Sequence, residues 1–145
     1  MKNKKEIRKG EIKDKIKNII DSVNLVAKNI PDEFKSFVNF GLTKDGIYKR
    51  IEFAIENIID ICSIINSDLD LGSPETEDTI FDHLENNNIL KKSVIDVIRE
   101  MKRFRNILVH KYGEISDKKA FEEIKDGLKD FDIILKEIEN FLVKY

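Results

Sequence analysis

The residues best suited to chemistry lie in one segment near the end of the chain, residues 99–113, which reads REMKRFRNILVHKYG. It carries five cationic side chains within 13 positions, although the whole chain has a formal net charge of −2. Three of the five arginines are among them, in a chain that is otherwise dominated by lysine. Arginine binds phosphate through planar, multidentate hydrogen bonds that lysine does not form. The five cationic residues are Arg99, Lys102, Arg103, Arg105 and Lys111.

The same segment contains the best candidate for proton transfer, His110, because imidazole has an ordinary pKa close to neutrality. On a helical wheel His110 lies within about 60° of Arg99, Arg103 and Asn106, on the face opposite the apolar stripe. Arg105 lies about 140° around from His110, so we expect its long side chain to reach the same ligand from the flank or to cross to a partner subunit. A phosphate-binding face beside an acid/base group is more specific than a run of charges. The alternative is a solvated helix face, with His110 interacting with the helix dipole.

The elements that position this segment are predicted to be helices. Apolar residues recur at spacings of three and four, strand-like alternation does not persist, and the chain has only 2 Pro and 6 Gly. These features indicate an all-α protein, an antiparallel bundle of five to six helices. A length of 145 residues fits a single domain over residues 1–145. We predict helices over about 5–29, 45–67, 91–110 and 117–143, with short helical segments around residues 34–40 and 80–86.

The predicted helices differ in how clearly they separate an apolar from a polar face. The last one has a single stripe, and the one carrying the cationic segment has the stripe Val94, Val97, Met101, Phe104 and Leu108. The helix over 45–67 is apolar on more than one side, which favours more than one neighbour, including a second subunit. Its Glu56 and Asp60 either form a solvated acidic edge or pair with Arg105 or Arg103. His83, in a short helix, is expected to be a surface residue without a partner.

Composition excludes several classes of protein. An estimated pI of 5.8 excludes a globally basic nucleic-acid coat. The single cysteine, Cys62, cannot form an intramolecular disulfide, and with only two His a metal site is improbable. We expect Cys62 to be a buried apolar residue. No apolar run approaches the length of a membrane span, and the charged N-terminus does not resemble a secretory signal, so we expect a cytoplasmic protein with no membrane contact.

Residues 105–112 read R-N-x-L-V-H-x-Y, which resembles the signature of the HEPN superfamily. The tyrosine two positions after the histidine is similar to the HepT-like toxin family in particular, and the resemblance extends over roughly residues 45–143. It implies a HEPN-like bundle that forms a homodimer, with the signature helices of two protomers lining a shared groove. It also implies a metal-independent endoribonuclease that needs no cofactor and acts as the toxin of a type II toxin–antitoxin pair.

The resemblance assigns roles residue by residue. Arg105 and His110 would be catalytic, Asn106 would support them, and the RNA backbone would be guided by Arg99, Lys102, Arg103 and Lys111. Tyr112 would accept AMP from a cognate nucleotidyltransferase-type antitoxin, which would silence the toxin. Two other interpretations stay open. In the first, the chain is a non-catalytic nucleotide- or RNA-binding partner subunit of a small nucleotidyltransferase. In the second, it is a helical dimer whose signature helix is only an interface.

Overall fold

The computed structural model describes residues 5–145, and in that range the chain is helical throughout, with no strand. The predicted all-α class is confirmed, and none of the helices within residues 5–145 is long and apolar enough to cross a membrane. The elements are α1 (Lys9–Asn29), α2 (Phe34–Val38), α3 (Leu42–Asp68), α4 (Glu77–Asn86), α5 (Lys92–His110), a 3₁₀ turn (Tyr112–Glu114) and α6 (Asp117–Lys144).

Helix α3 is the centre of the bundle, because it packs against α1, α4 and α5. Its predicted stripe is buried, Cys62 included, and further buried residues lie on its other sides. The expectation that this helix meets more than one neighbour is therefore confirmed by its contacts with α1, α4 and α5. Helix α6 also buries its predicted stripe, with Phe121 against Phe34 and Phe37 of α2. Its N-cap is Ser116, whose hydroxyl accepts a hydrogen bond from the Lys119 backbone N–H at 3.4 Å.

Helix α5 is turned further towards α4 than its sequence pattern suggests. Ile95 and Ile98 are fully buried, whereas Val97, which was assigned to the stripe, is only partly buried. The helix contacts α3, α4 and α6, so its buried face is wider than one stripe. This rotation brings Arg105, seven residues or about two turns after Ile98, onto the inner side of the helix.

The connection between α3 and α4 is fixed by a polar lock around Asn66. The Asn66 side chain donates a hydrogen bond to the Gly72 carbonyl at 3.0 Å, and its Oδ1 lies 2.8 Å from His83 Nδ1. The expectation that His83 is a surface residue without a partner was wrong. His83 is half-buried because its ring packs directly against the Cα of Gly72. The lock therefore sets the position of α4 on α3.

We predict that Gly72→Ala destabilises the protein by about 1–3 kcal/mol. A Cβ at this position would lie 2.5 Å from His83 Cε1, and the Gly72 φ of +152° is one that side-chain-bearing residues rarely adopt. The free energy of unfolding in urea, followed by far-UV circular dichroism, measures the effect. Gly127→Ala in α6 is the matched control, because a Cβ there has nothing within 4 Å, and it is expected to stabilise by up to about 1 kcal/mol. Equal free energies of unfolding for the two variants would contradict a structural role for the close contact between Gly72 and His83.

Candidate active site

The cationic segment occupies the second half of α5 and the turn after it. Helices α5 and α3 are antiparallel, because Arg105 contacts Glu56 in the middle of α3 while Tyr112 contacts Asp45 near its start. The end of α5 therefore lies over the beginning of α3. The 3₁₀ turn at Tyr112 ends the segment and leads into α6.

Arg105 is buried and joins three helices. It is only 8% exposed, and its Nη1 donates to Glu56 of α3 at 2.9 Å while Nη2 donates to Glu77 of α4. Its Nε donates to Oδ1 of the neighbouring Asn106 at 2.9 Å. Burial lowers the pKa of the guanidinium, but the two carboxylates raise it by more, so the net pKa lies above its ordinary value. Arg105 is a permanent cation held by two anions.

This position differs from the sequence interpretation, which placed Arg105 on an open flank of the helix. Its carboxylate partners come from two neighbouring helices of the bundle, α3 and α4. The sequence left open whether Glu56 and Asp60 of α3 pair with Arg105 or Arg103, and the structure gives a different answer for each. Glu56 faces α5 and holds Arg105, whereas Asp60 pairs with Lys15 of α1 at 3.2 Å. Glu77 in the first turn of α4 is the second partner of Arg105, and no signal in the sequence pointed to it.

His110 is the last residue of α5 and is exposed. No hydrogen bond or ion pair of its imidazole is formed within residues 5–145. Asn106, one turn earlier, uses its Oδ1 for Arg105 rather than for His110. The site therefore combines an open imidazole, able to exchange protons with a ligand, and a fixed cation five residues earlier, about 140° around the helix.

The cations on the α4 side of α5 are also paired. Asp78 accepts hydrogen bonds from Arg99 at 3.2 Å and from Lys102 at 2.8 Å, and Arg99 also pairs with Asp82. The Arg99 guanidinium lies 5.6 Å from the centroid of the Phe81 ring. Arg99 and Lys102 are thus half-buried beneath α4, whereas the helical wheel had placed Arg99 on the face directed away from the core.

On the opposite side, Arg103 pairs with Glu100 of its own helix at 2.8 Å and with Glu123 of α6 at 3.6 Å. Lys111 is exposed, and within residues 5–145 it has no ion pair. The cationic face predicted from the sequence is present, but carboxylates border it on both sides. The open part of the face lies at the end of α5.

Tyr112 lies at this open end, next to Lys111, and is 44% exposed. Its hydroxyl donates a hydrogen bond to Asp45, and its ring meets Tyr48 edge-on with the centroids 5.9 Å apart. Tyr48 is buried and donates a hydrogen bond to Asp117 at 2.6 Å. Burial first, and then the Asp45 carboxylate, raise the pKa of Tyr112, so its hydroxyl keeps its proton near neutrality. No signal in the sequence pointed to Asp45 as a partner of Tyr112.

The sequence model of a protein family, described as Ribonuclease HepT-like, matches residues 6–138 of this chain. The chain belongs to this family. The resemblance of residues 105–112 is thereby confirmed, and the match also includes α1, which the sequence resemblance did not reach.

Individual HepT-like relatives agree in sequence and fold. Over 89 residues, or 61% of this chain and 67% of the relative, the chain is 29% identical to the mRNA nuclease HepT of Shewanella oneidensis. A tri-AMPylated Shewanella oneidensis HEPN toxin in complex with an MNT antitoxin is 25% identical and superimposes with a TM-score of 0.81, covering 90% of this chain and 97% of the other. The cytosolic protein YutE of Bacillus subtilis, 15% identical, shares the fold alone, with a TM-score of 0.80 over 96% of this chain and 93% of its own.

We predict that Arg105→Ala destabilises the HepT-like bundle by about 1–3 kcal/mol, because Glu56 and Glu77 lose the cation between them. Urea unfolding measures the change. Arg50→Ala on α3 is the control, since Arg50 is exposed and has no ion pair within residues 5–145, and it is expected to change stability by less than about 0.5 kcal/mol. Equal stability of the two variants would show that the Arg105 pairs contribute little. A destabilised Arg105→Ala also means that its activity alone cannot identify a catalytic role.

Proposed function

We propose that this chain is the toxin of a type II toxin–antitoxin pair and cleaves RNA without a metal ion, with Arg105 and His110 as its catalytic residues. The observation that carries the proposal is the placement of the segment R-N-x-L-V-H-x-Y in a HepT-like chain, with His110 exposed at the end of α5 and Arg105 five residues before it. The nuclease activity of the HepT relative supports the same conclusion.

His110 supplies the proton transfers of the reaction. A base removes the proton of the ribose 2′-OH, the 2′-oxygen forms a bond to phosphorus, and the bond from phosphorus to the 5′-oxygen breaks as that oxygen is protonated. A symmetric dimer brings two copies of His110 to one groove, one for each proton. Cationic donors stabilise the charge that develops on the phosphorane. Arg105 fills this role, and Asn106 keeps its guanidinium oriented through Nε.

A homodimer is part of the proposal. Phe53 of α3 is 39% exposed and Val109 of α5 is 45% exposed. Each lies about one helical turn from the Arg105–Glu56 pair, and because α3 and α5 are antiparallel both lie on the same side of it. Exposed apolar residues beside a polar site favour contact with a second copy there. The groove of the active site would then be shared by two protomers.

Tyr112 is the proposed acceptor of AMP from an MNT-type nucleotidyltransferase antitoxin. Its hydroxyl is at the surface, two positions after His110, and a related HEPN toxin is AMPylated in its complex with such an antitoxin. The phenolic oxygen forms a bond to the α-phosphorus of ATP, pyrophosphate leaves, and the phenolic proton is released. The added nucleotide brings bulk and negative charge next to His110, which opposes the binding of RNA.

The catalytic assignment predicts that the purified protein cleaves RNA in EDTA and that His110→Ala reduces cleavage at least about a hundredfold. Structured and unstructured RNAs are incubated with both proteins, and products are separated on denaturing gels. Arg50→Ala is the control, because Arg50 is exposed on α3 and has no ion pair within residues 5–145, and it should retain activity. Equal cleavage by wild type and His110→Ala, or none by either, would favour the non-catalytic nucleotide- or RNA-binding partner subunit.

The modification predicts that Tyr112→Phe abolishes transfer of AMP to this chain by an MNT-type nucleotidyltransferase and ATP, as read by intact-protein mass spectrometry. The variant loses only the hydroxyl, so the edge-on contact with Tyr48 is retained. RNA cleavage by the unmodified variant should remain, and it should no longer fall when the transferase and ATP are added. An adenylylated Tyr112→Phe protein would place the modification elsewhere.

A further inference from the structure

Helix α4 covers one side of α5 with carboxylates that are matched to its cations. Asp78 contacts both Arg99 and Lys102, and Glu77 of the same helix contacts Arg105. Thus every cation that α5 directs towards α4 has an acidic partner on α4. Ion pairs of this kind keep long side chains in one arrangement, and they also occupy the groups that would bind an anionic ligand.

Asp78 is held where two donors converge. Arg99 donates to its Oδ1 and Lys102 to its Oδ2, from positions one helical turn apart on α5. Phosphate oxygens accept the same charge-assisted hydrogen bonds as carboxylate oxygens do. The Phe81 ring beneath the Arg99 guanidinium keeps that donor in place. The two side chains therefore form a preorganised anion site that Asp78 occupies, while the exposed Asp82 also pairs with Arg99.

The contact is exchangeable. The Asp78 side chain is 54% exposed, and ion pairs at such positions contribute little net free energy. A hydrogen bond from Lys102, and the charge of Arg99 with it, holds the pKa of Asp78 below its ordinary value, so the carboxylate stays charged at neutral pH. The Arg105 side chain, by contrast, is 10% exposed and is held by two carboxylates. An external anion reaches Arg99 and Lys102 at lower cost than it reaches Arg105.

We propose that Arg99 and Lys102 form a phosphate-binding subsite for the RNA backbone, which Asp78 occupies in the free protein and releases when RNA binds. The subsite lies roughly 16 Å along α5 from His110, given about 1.5 Å per residue. A strand extending from the catalytic end along the helix would pass over it. The inference rests on the proposed function, since it assumes that RNA is the ligand. Asp78 then sets how strongly this side of α5 attracts the backbone.

The test is the affinity of Asp78→Asn for a short single-stranded RNA, measured by fluorescence anisotropy. Every protein in this comparison also carries His110→Ala, so that the RNA is not cut. Removing the carboxylate charge should raise affinity about two- to fivefold at low salt, the scale of a surface ion pair, and the gain should shrink as salt increases. Asp78→Glu retains the charge and should show no gain. Glu75→Gln, which makes the same change of charge beside α4, is the matched control, because within residues 5–145 Glu75 has no cationic partner.

A gain of the same size in Glu75→Gln would overturn the proposal, since it would reflect net charge alone. The gain must also disappear when Arg99→Gln and Lys102→Gln are added to Asp78→Asn, and a gain that persists without these cations would overturn the subsite. Single-stranded DNA of the same sequence should show the same gain, because the backbone phosphate is the group recognised. A gain confined to RNA would contradict phosphate binding. Urea unfolding of each variant confirms that α4 remains folded.

A negative result for the Asp78 subsite can be distinguished from a negative result for the proposed ribonuclease function. Absence of cleavage by the wild-type protein removes the ribonuclease assignment but leaves the binding difference between Asp78→Asn and its controls to be observed. Conversely, intact cleavage that depends on His110, together with equal RNA affinity of Asp78→Asn and Glu75→Gln, removes the subsite alone.

Discussion

The Arg105 guanidinium, held between Glu56 and Glu77, is the contact on which the geometry of the site depends. A buried cation requires anionic partners, and these two come from different helices, so satisfying Arg105 sets α3, α4 and α5 relative to one another. The contact forms in the orientation of α5 that also buries Ile95 and Ile98. His110 is placed at the exposed end of the helix as a consequence.

The helices and most of the core could be predicted from the sequence because their signals are local. The stripes of α3 and α6 repeat every three to four residues over many turns, and both are buried as expected. The orientation of α5 was not predictable in this way. Its apolar residues form two adjacent stripes, and only the packing of α4 decides how far each is buried. The helical wheel placed Val97, and not Ile95 or Ile98, on the buried stripe of α5. Arg105 was therefore expected on the wrong side of the helix.

The family was readable from the sequence, but of the residues that hold the signature side chains only Glu56 was among the alternatives that the sequence offered. The spacing of Arg105, His110 and Tyr112 pointed to the family, and the match over residues 6–138 confirms it. The residues that hold them, Glu77 and Asp45, are far away in sequence and have no distinguishing neighbours. Burial of an arginine is also contrary to what its residue type predicts, because charged side chains are seldom buried unless they are paired. Only the tertiary structure supplies the pairing.

The distribution of paired charges indicates where ligands approach. Arg99, Lys102 and Arg105 are covered by carboxylates of α3 and α4, and Arg103 by Glu100 and Glu123, so the positive potential of the segment is largely cancelled along the helix. The end of α5 is different, because residues 110–112 are consecutive and exposed. In the proposed function, RNA and the modifying antitoxin must both come to this end of the helix. A nucleotide on Tyr112 therefore occupies the same surface that the substrate needs, and its charge opposes that of the neighbouring Lys111, which has no ion pair within residues 5–145.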